Sequence, residues 1–326
     1  MATTDVECEL CPKGCRIASG QSGDCRIRIN LDGRLVATTF GLPSAVHLDP
    51  IEKKPLYHFL PGSPILSIAT VGCNLHCKFC QNWEMSQQNP EEAEAFPLGP
   101  SEVVELAVRK RSPAIAYTYT EPLVFYEYTL AASRLARERG LRNVLVTAGY
   151  LNRDPLADMY RAVDASNTDL KSFDDGFYRS VCGATLEPVL AGMVLAKEMN
   201  VWLEVTNLLV PGLNDDPDVI TRMCRWMFKN LGPDTPLHFS RFEPRHLMLD
   251  LPPTPSATLA RARKIALGEG LHYVYVGNVP GEPGESTECP SCGAMLIRRV
   301  GFHSEIVDLQ QGRCRRCNTA IAGVWT

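Results

Sequence analysis

The cysteines of this chain are the residues whose number and spacing most directly indicate chemistry. The sequence of 326 residues contains 13 cysteines, and only Cys182 and Cys224 stand apart from the others. Thiolates gathered at short spacing are typical metal ligands. The three groups are an N-terminal quartet, a triad within the segment GCNLHCKFCQN and a terminal quartet: Cys8, Cys11, Cys15 and Cys25; Cys73, Cys77 and Cys80; and Cys289, Cys292, Cys314 and Cys317.

The triad differs from the two quartets because it offers three ligands rather than four. A [4Fe–4S] cluster has four irons, so three cysteines leave one iron without a protein ligand. An open coordination position is what a metal site needs in order to bind a substrate, whereas a fourth cysteine would leave a plain electron carrier. The alternative interpretation is a zinc knuckle or a chance group of buried cysteines, because a short motif alone can mislead.

Alternating strand and helix patterns surround the triad. Seven β-branched runs predict strands over Pro64–Val71, Ala114–Thr118, Asn143–Thr147, Ala165–Leu170, Val201–Leu209, Leu237–Phe242 and Tyr273–Val276. The runs between them predict helices over Glu102–Arg111, Leu123–Arg139, Pro155–Arg161, Leu186–Glu198, Pro217–Asn230 and Ser256–Glu269. This repetition predicts parallel strands with right-handed crossovers, hence an α/β fold with a complete or partial TIM-type (β/α) barrel. The triad follows the first strand, at the barrel face where active sites form.

Polar residues follow later strands at the same face. Glu121 comes after the second strand, Asp169 and Lys171 end the fourth, and His238 lies on the sixth. Each has a plainer interpretation: Glu121 as a carboxylate favoured at a helix N-terminus, Asp169 and Lys171 as a solvated ion pair, and His238 as a core histidine.

The triad, with Phe79 directly before its last cysteine, resembles the signature of the radical SAM superfamily. The resemblance implies that Cys73, Cys77 and Cys80 hold a [4Fe–4S] cluster whose open iron chelates S-adenosylmethionine. Reductive cleavage then gives a 5′-deoxyadenosyl radical that abstracts hydrogen from the substrate. The cofactor supplies the difficult chemistry, while the protein positions it and excludes water.

The same resemblance assigns cofactor-binding roles to residues outside the triad. The segment Thr120-Glu121-Pro122 stands where the family usually has Gly-Gly-Glu-Pro. In the family this segment holds the methionyl amino group. The present chain keeps Glu121 and Pro122 but lacks the two glycines. Asp169-Leu170-Lys171 is similar to a segment of the glycyl-radical activating enzymes that helps to seat the methionine carboxylate. Further cofactor-binding candidates on this basis are Phe79, Asn82 and His238.

Over its whole length the chain resembles the AmmeMemoRadiSam radical SAM proteins. The shared segments include the N-terminal cysteines, Lys53–Phe59, Cys80-Gln81-Asn82-Trp83 and the terminal quartet. This resemblance implies AMMECR-type and Memo-type partner proteins, and a flavodoxin- or ferredoxin-type electron donor. The substrate is expected to be a small molecule or a group on a protein, with activation of a pyruvate formate-lyase-like glycyl-radical enzyme as the alternative.

The two quartets predict small metal-binding modules at either end of the barrel. The paired C-x2-C spacing of Cys289, Cys292, Cys314 and Cys317 favours a structural zinc ribbon, and the alternatives are rubredoxin-like iron or no metal. The N-terminal spacing fits either zinc or an auxiliary iron–sulfur cluster, and zinc is slightly favoured. The predicted domains are therefore residues 1–50, 51–282 and 283–326, with the linker-like stretch Gly277–Ser286 at the second boundary.

Composition limits the other functions open to the chain. A formal net charge of −4 gives no broad positive field, so no nucleic-acid partner is expected. No signal peptide and no apolar run of about 20 residues is present, so a cytoplasmic protein without membrane contact is expected. The rival of another class is a non-catalytic zinc- or RNA-binding protein. The acidic balance and the lack of clustered Lys and Arg with interleaved aromatic residues oppose it.

Overall fold

The computed structural model describes residues 5–279 and 284–326. At the N-terminus, β1 (Val6–Glu7) pairs with β2 (Arg16–Ile17), and β3 (Arg28–Leu31) pairs with β4 (Arg34–Ala37), both antiparallel. The predicted boundary between residues 282 and 283, with the middle of the predicted linker, lies outside the described residues. The division into three domains therefore stays a prediction.

A curved sheet of eight strands forms the centre of the molecule. In chain order the strands run from β5 to β12, and neighbours in sequence are neighbours in the sheet. Strand β5 is antiparallel to β6, and all later neighbours are parallel. Among the described residues β12 does not pair with β5, so the barrel is partial, and the predicted fold class is confirmed. The strands are β5 (Ala45–Pro50), β6 (Pro64–Ala69), β7 (Ala114–Tyr117), β8 (Arg142–Thr147), β9 (Ala165–Asp169), β10 (Trp202–Leu209), β11 (Leu237–Arg241) and β12 (Val274–Gly277).

Helices connect the parallel strands and bury one face against the sheet. The six predicted helices are present with ends shifted by a few residues, and two short helices, α1 and α5, follow the triad and β9. The largest shift is at the start of α3, because Glu121 accepts the backbone N–H of Leu123 and holds a turn there. The helices are α1 (Trp83–Ser86), α2 (Pro100–Arg109), α3 (Tyr126–Glu138), α4 (Arg153–Ala162), α5 (Asp175–Phe177), α6 (Leu186–Glu198), α7 (Pro217–Leu231) and α8 (Ser256–Gly268).

The segment Ile51–Ser63, here called the floor segment, closes the end of the barrel where the parallel strands begin. Its buried side chains Ile51, Leu56 and Phe59 pack against small residues near the strand starts, which include Ala114, Val144 and Ala165. Apolar burial of this kind stabilises the closure by about 25 cal/mol per Å². The opposite, open end of the barrel is formed by the carboxyl ends of the strands, and the triad lies there.

The terminal region adds five short strands beside the floor segment. They form the sheet β13–β14–β15 and the pair β16–β17. No single helix in the described ranges is long and apolar enough to cross a membrane; the strongly bent pair Asp175–Cys182 and Leu186–Glu198 meets that test by length and composition only. The strands are β13 (Thr287–Glu288), β14 (Met295–Val300), β15 (His303–Ile306), β16 (Leu309–Gln310) and β17 (Arg313–Cys314).

Candidate active site

The loop after β6 carries the cysteine triad and is fixed from three sides. The backbone N–H of His76 donates to the carbonyl of Cys182 at 2.8 Å, and that of Lys78 donates to the carbonyl of Val181 at 3.0 Å. The side chain of Asn74 donates to the carbonyl of Tyr150 at 2.7 Å. Because the loop is pinned by main-chain and side-chain bonds, its cysteines have a defined orientation.

Each sulfur of the triad has a hydrogen-bonding neighbour. The backbone N–H of Leu75 donates to Cys73 Sγ at 3.3 Å, and Ser86 Oγ lies 3.3 Å from Cys80 Sγ. Burial raises the pKa of the Cys73 thiol, whereas a hydrogen bond with Cys182 lowers that of Cys77. Bonds of this kind stabilise thiolate sulfur in the form that binds metal.

Glu121 is fully engaged in local hydrogen bonds at the end of β7. Its carboxylate accepts the hydroxyl of Thr147 at 2.6 Å, the N–H of Ala148 at 2.8 Å and the N–H of Leu123 at 3.1 Å. Burial raises the pKa of Glu121, and these bonds oppose that rise. The carboxylate therefore ties the end of β7 to the end of β8, close to Cys73.

Tyr119 occupies a backbone conformation that normally favours glycine. Its φ is +65°, and its side chain is held by a short hydrogen bond to Asp49 and by the ammonium of Lys54, 4.2 Å from the ring centre. The left-handed conformation costs a non-glycine residue about 1–2 kcal/mol, and these contacts offset that cost. The loop therefore has the left-handed backbone conformation typical of glycine, although residue 119 is a tyrosine.

Lys171 and Asp169 form an ion pair at the end of β9, with Lys171 Nζ 2.8 Å from Asp169 Oδ2. The ammonium also lies 5.7 Å from the ring centre of Phe79. Burial acts to lower the pKa of Lys171, but the negative charges of Asp169 and Cys77 contribute to raising it overall. A positively charged ammonium therefore lies beside the triad.

Two further predicted residues lie beside this group. The side chain of Asn82 donates to the carbonyl of Tyr119 at 2.6 Å, and Thr120 Oγ1 donates to the carbonyl of Thr70 at 2.7 Å. Both bonds join the triad loop and the end of β6 to the loop after β7. The structure therefore brings together the triad, Phe79, Asn82, Thr120, Glu121, Asp169 and Lys171.

Comparison with known proteins identifies the family of the chain. The family model described as the radical SAM superfamily matches residues 67–223. An uncharacterized protein of Methanocaldococcus jannaschii is 48% identical over 318 residues, which cover 97% of this chain and 95% of that protein. The chain belongs to the radical SAM superfamily.

Other similar proteins from this superfamily are more distant. The pyruvate formate-lyase-activating enzyme of Clostridium pasteurianum is 22% identical over 169 residues, which cover 49% of this chain and 67% of that enzyme. A solved radical SAM methyltransferase from Sphaerobacter thermophilus superposes with a TM-score of 0.52 at 17% identity, and the match covers 70% of this chain and 71% of that one. The likeness to the solved structure concerns the fold alone.

His238 lies in a polar network separate from the residues gathered around the triad. Its Nε2 is 2.7 Å from Glu204 Oε2, and its ring stacks on Tyr275 with centres 5.0 Å apart. Glu204 also accepts the backbone N–H groups of Tyr57 and His58 in the floor segment, at 3.0 and 2.8 Å. These contacts place His238 towards the closed end of the barrel, and its predicted cofactor contact stays a prediction.

The terminal quartet has the geometry of a single-ion site. Cys289 Sγ is 3.6 Å from Cys317 Sγ, and Cys292 Sγ is 3.7 Å from Cys314 Sγ. All four sulfur atoms lie within 4.8 Å of one another. Hydrogen bonding with Thr319 lowers the pKa of the Cys317 thiol to about 6. The group can hold one tetrahedral metal ion, as a zinc ribbon does.

The sequence prediction did not include Asp49, Lys54, Tyr119 and Cys182 among the site residues. Lys54 is buried beside Asp49 Oδ2 at 2.7 Å, and burial lowers its pKa to about 8. Nothing in the spacing of these residues signals that β5 joins the sheet and brings Asp49 to Tyr119. Cys182 carried only the weak signal of a lone cysteine in a Cys-Gly pair.

Proposed function

We propose that this chain is a radical SAM enzyme in which Cys73, Cys77 and Cys80 hold a [4Fe–4S] cluster. The observation that carries the proposal is the position of three thiols on one pinned loop at the carboxyl end of β6, with Glu121 and Lys171 at the ends of β7 and β9. The donors fit such a cluster, since three thiols leave one iron open for the cofactor.

With S-adenosylmethionine bound, the cluster supplies one-electron cleavage of the sulfonium bond, which yields methionine and a 5′-deoxyadenosyl radical that takes a hydrogen atom from the substrate. The protein contributes the electrostatic surroundings. The N–H of Leu75 and the hydroxyl of Ser86 solvate the sulfur atoms of Cys73 and Cys80. Hydrogen bonds to sulfur raise the reduction potential of such clusters and so ease electron uptake.

Lys171 is proposed to bind the methionine carboxylate. Its pKa is raised above the usual range, which favours the charged ammonium, and Asp169 orients it at 2.8 Å. The ion pair reaches solvent through Asp169, which is about one-third exposed, so the ammonium can exchange this carboxylate for another at small cost. Phe79 under the ammonium, packed on Phe177 at 6.1 Å, keeps water from one side.

The loop from Tyr119 to Glu121 is proposed to present main-chain groups to the methionyl amino group. The left-handed backbone at Tyr119 gives this loop the course that a glycine pair would allow. Glu121 is bonded to Thr147, Ala148 and Leu123, so its role is to hold the loop rather than to contact the cofactor directly. Asn82 fixes the same loop from the triad side.

The substrate is proposed to be a small molecule or a small group on a protein. The floor segment closes one end of the barrel, so the substrate reaches the radical from the carboxyl ends of the strands. Asp169 on β9 pairs in register with Thr206 on β10, which pairs with His238 on β11. These side chains give the interior of the barrel a polar character. A one-electron donor of the flavodoxin or ferredoxin type is required, and AMMECR-type and Memo-type partners are proposed on resemblance.

The similarity to a pyruvate formate-lyase-activating enzyme favours glycyl-radical activation as the second candidate. The two functions differ in stoichiometry. An activating enzyme forms one 5′-deoxyadenosine for each radical installed on its protein partner. An enzyme acting on a small molecule forms 5′-deoxyadenosine continuously while that substrate lasts.

The test is anaerobic reconstitution with iron and sulfide, followed by dithionite and S-adenosylmethionine, with 5′-deoxyadenosine measured by chromatography. The wild type is expected to form it, and Cys77→Ala is expected to form none while it retains the metal of the terminal quartet. Cys224→Ala is the matched control, because Cys224 is equally buried but lies on α7. Formation of 5′-deoxyadenosine by Cys77→Ala would overturn the assignment of the triad.

We also propose that the terminal quartet binds zinc. Sulfur atoms 3.6–3.7 Å apart match four bonds of about 2.3 Å to one tetrahedral ion. Four protein ligands leave no open position, so the ion is structural. One zinc per chain after mild iron chelation is the expected result.

A further inference from the structure

The N-terminal quartet surrounds a single cavity. Cys8, Cys11, Cys15 and Cys25 all line the same pocket, together with Arg28 and Asn74 among others. The pairing of β1 with β2 and the bond from Cys8 N to Cys15 O at 2.9 Å bring the first and third cysteines together. Three of the four are buried, and Cys15 is half-buried. Four convergent thiols around one space form a metal site.

The spread of the sulfur atoms distinguishes this site from the terminal quartet. The four sulfur atoms of the terminal quartet all lie within 4.8 Å of one another. In the described part of the chain, no three sulfur atoms of the N-terminal quartet lie that close together. A single zinc ion needs the close set, because its bonds are about 2.3 Å long. A wider frame leaves room for an inorganic core between the thiolates.

The surroundings of the sulfur atoms suit an iron–sulfur core. Hydrogen bonding by Lys13 and Asn74 acts to lower the pKa of the Cys11 thiol, and hydrogen bonding by the backbone of Ile27 and Arg28 acts to lower that of Cys25, although burial raises both pKa values overall. N–H donors to sulfur are among the main levers on the potential of such clusters. The buried guanidinium of Arg28, 2.7 Å from Glu127, adds a positive charge beside the thiolates.

The quartet lies directly against the triad loop. The carbonyl oxygen of Cys25 is so close to Gly72 that a Cβ there would be 2.7 Å away. His76 Nε2, from within the triad segment, is 2.8 Å from Asp24 Oδ2. Asn74, which follows Cys73 in the chain, also lines the pocket of the N-terminal quartet. The N-terminal quartet and the triad loop therefore pack directly against each other, with no helix or strand of the described residues between them.

We propose that Cys8, Cys11, Cys15 and Cys25 hold a second [4Fe–4S] cluster next to the triad. Four protein ligands leave this cluster without an open iron, so it exchanges electrons and binds no substrate. It accepts one electron from a one-electron donor of the flavodoxin or ferredoxin class, which is oxidised by one electron. It then passes that electron to the cluster of the triad, and no bond is made or broken in the transfer. This relay goes beyond the proposed function, while the second metal site stands independently of it.

The deciding experiment measures iron, sulfide and zinc per chain in the full-length protein with all three triad cysteines changed to Ala. After anaerobic reconstitution, this variant is expected to keep about half of the wild-type iron and sulfide and to give the electron paramagnetic resonance signal of a reduced [4Fe–4S] cluster. Dithionite titration is expected to deliver two electrons per wild-type chain and one per variant chain. A triad variant with no iron and with twice the zinc of one ribbon site would overturn the proposal.

Single substitutions in the N-terminal quartet provide a second test, which remains decisive if one of the variants fails to fold. Cys15→Ala changes the least buried member of the quartet, and Cys11→Ala changes a buried one, with circular dichroism to verify folding. Both are expected to lose half of the iron, whereas Cys224→Ala keeps all of it. Full wild-type iron in folded Cys15→Ala and Cys11→Ala would overturn the proposal. Loss of all iron in these variants, with none lost from the triad variant, would instead refute the triad assignment and leave the quartet as the cluster site.

Discussion

Gly72 and Cys25 are in contact through their backbones, with no room between them for a side chain. A Cβ on residue 72 would lie 2.7 Å from the carbonyl oxygen of Cys25 and 2.5 Å from Cγ2 of Ile27. The φ of Gly72 is +93°, which also disfavours any residue with a side chain. The start of the triad loop is thus fitted against the N-terminal cysteine region, and the position requires glycine for two separate reasons.

Gly72→Ala is expected to destabilise the protein strongly and to reduce its iron content. The left-handed conformation costs about 1–2 kcal/mol, and the overlap with Cys25 and Ile27 adds about 1–3 kcal/mol. Gly140→Ala is the matched control, because its φ is +72° but its added Cβ meets no atom within 4 Å. Urea unfolding and iron analysis measure both effects. Equal losses of stability in the two variants would show that the contact with Cys25 has no influence.

Arg299 joins the terminal region to the floor segment. Its guanidinium donates to the carbonyl of Tyr57 and to Thr287 Oγ1, each at 2.7 Å, and lies 4.2 Å from the centre of the Tyr57 ring. The side chain is completely buried, with Glu52 at 3.9 Å. The terminal β-strands therefore help to hold the floor of the barrel in place.

Arg299→Ala is expected to lower the free energy of unfolding by about 3–5 kcal/mol, because it leaves Glu52 and two acceptors buried without their partner. Arg298→Ala is expected to lower it by less than about 1 kcal/mol, because Arg298 is exposed and pairs with Glu305 at the surface. Thermal unfolding of the metal-loaded proteins tests the difference between these sequence neighbours. Comparable values would mean that the terminal region does not support the barrel.

The sequence predicts the barrel well because each parallel strand is buried and each following helix has a regular apolar pattern. The runs at Ala114–Thr118 and Ala165–Leu170, for example, correspond to β7 and β9 to within a residue at each end. Strand β5 is not predicted, because its sequence AVHLDP carries a charge and a proline and two of its six residues are exposed. Its place is decided by pairing with β6, which local pattern does not reveal.

The site is only partly predictable for the same reason. Triad spacing and strand ends place Glu121, Asp169 and Lys171 correctly at the carboxyl face, because these positions follow from topology alone. The ion pair of Asp49 and Lys54 and its contact with Tyr119 depend on β5 and on the course of the floor segment. The position of His238 depends on its depth along β11, where Glu204 lies on the neighbouring strand.

Asp49 contributes stability that depends on pH. Burial acts to raise its pKa, but hydrogen bonds from Lys54, Tyr119 and Lys53 hold that pKa well below the usual range. A carboxyl group with a depressed pKa stabilises the fold above its unfolded value of about 4 and loses that contribution as the pH falls below it. Wild type should therefore lose stability below pH 4 more steeply than Asp49→Asn.

At neutral pH, Asp49→Asn is expected to cost about 3–5 kcal/mol, because it leaves the Lys54 ammonium buried without its partner. The double variant Asp49→Asn with Lys54→Met should recover part of this loss. The exposed Asp158→Asn serves as the control, and unfolding curves at pH 3.5, 5 and 7 provide the measurement. A gap between wild type and Asp49→Asn that stays constant over this range would contradict the depressed pKa.

Lys171 offers the most direct test of how the cofactor is held. Lys171→Met keeps most of the side-chain volume over Phe79 but removes the charge beside Asp169, so the affinity for S-adenosylmethionine is expected to fall about 10–100-fold, as for loss of a charge-assisted hydrogen bond of about 1.5–3 kcal/mol. Lys78→Met is the matched control, because Lys78 is in the triad loop but its side chain is exposed. Equilibrium binding to the reconstituted, unreduced protein measures the affinity without turnover. If Lys171→Met binds as tightly as Lys78→Met while both keep wild-type iron, Lys171 does not contact the methionine carboxylate, and its charge serves only to balance Asp169 and the neighbouring thiolates.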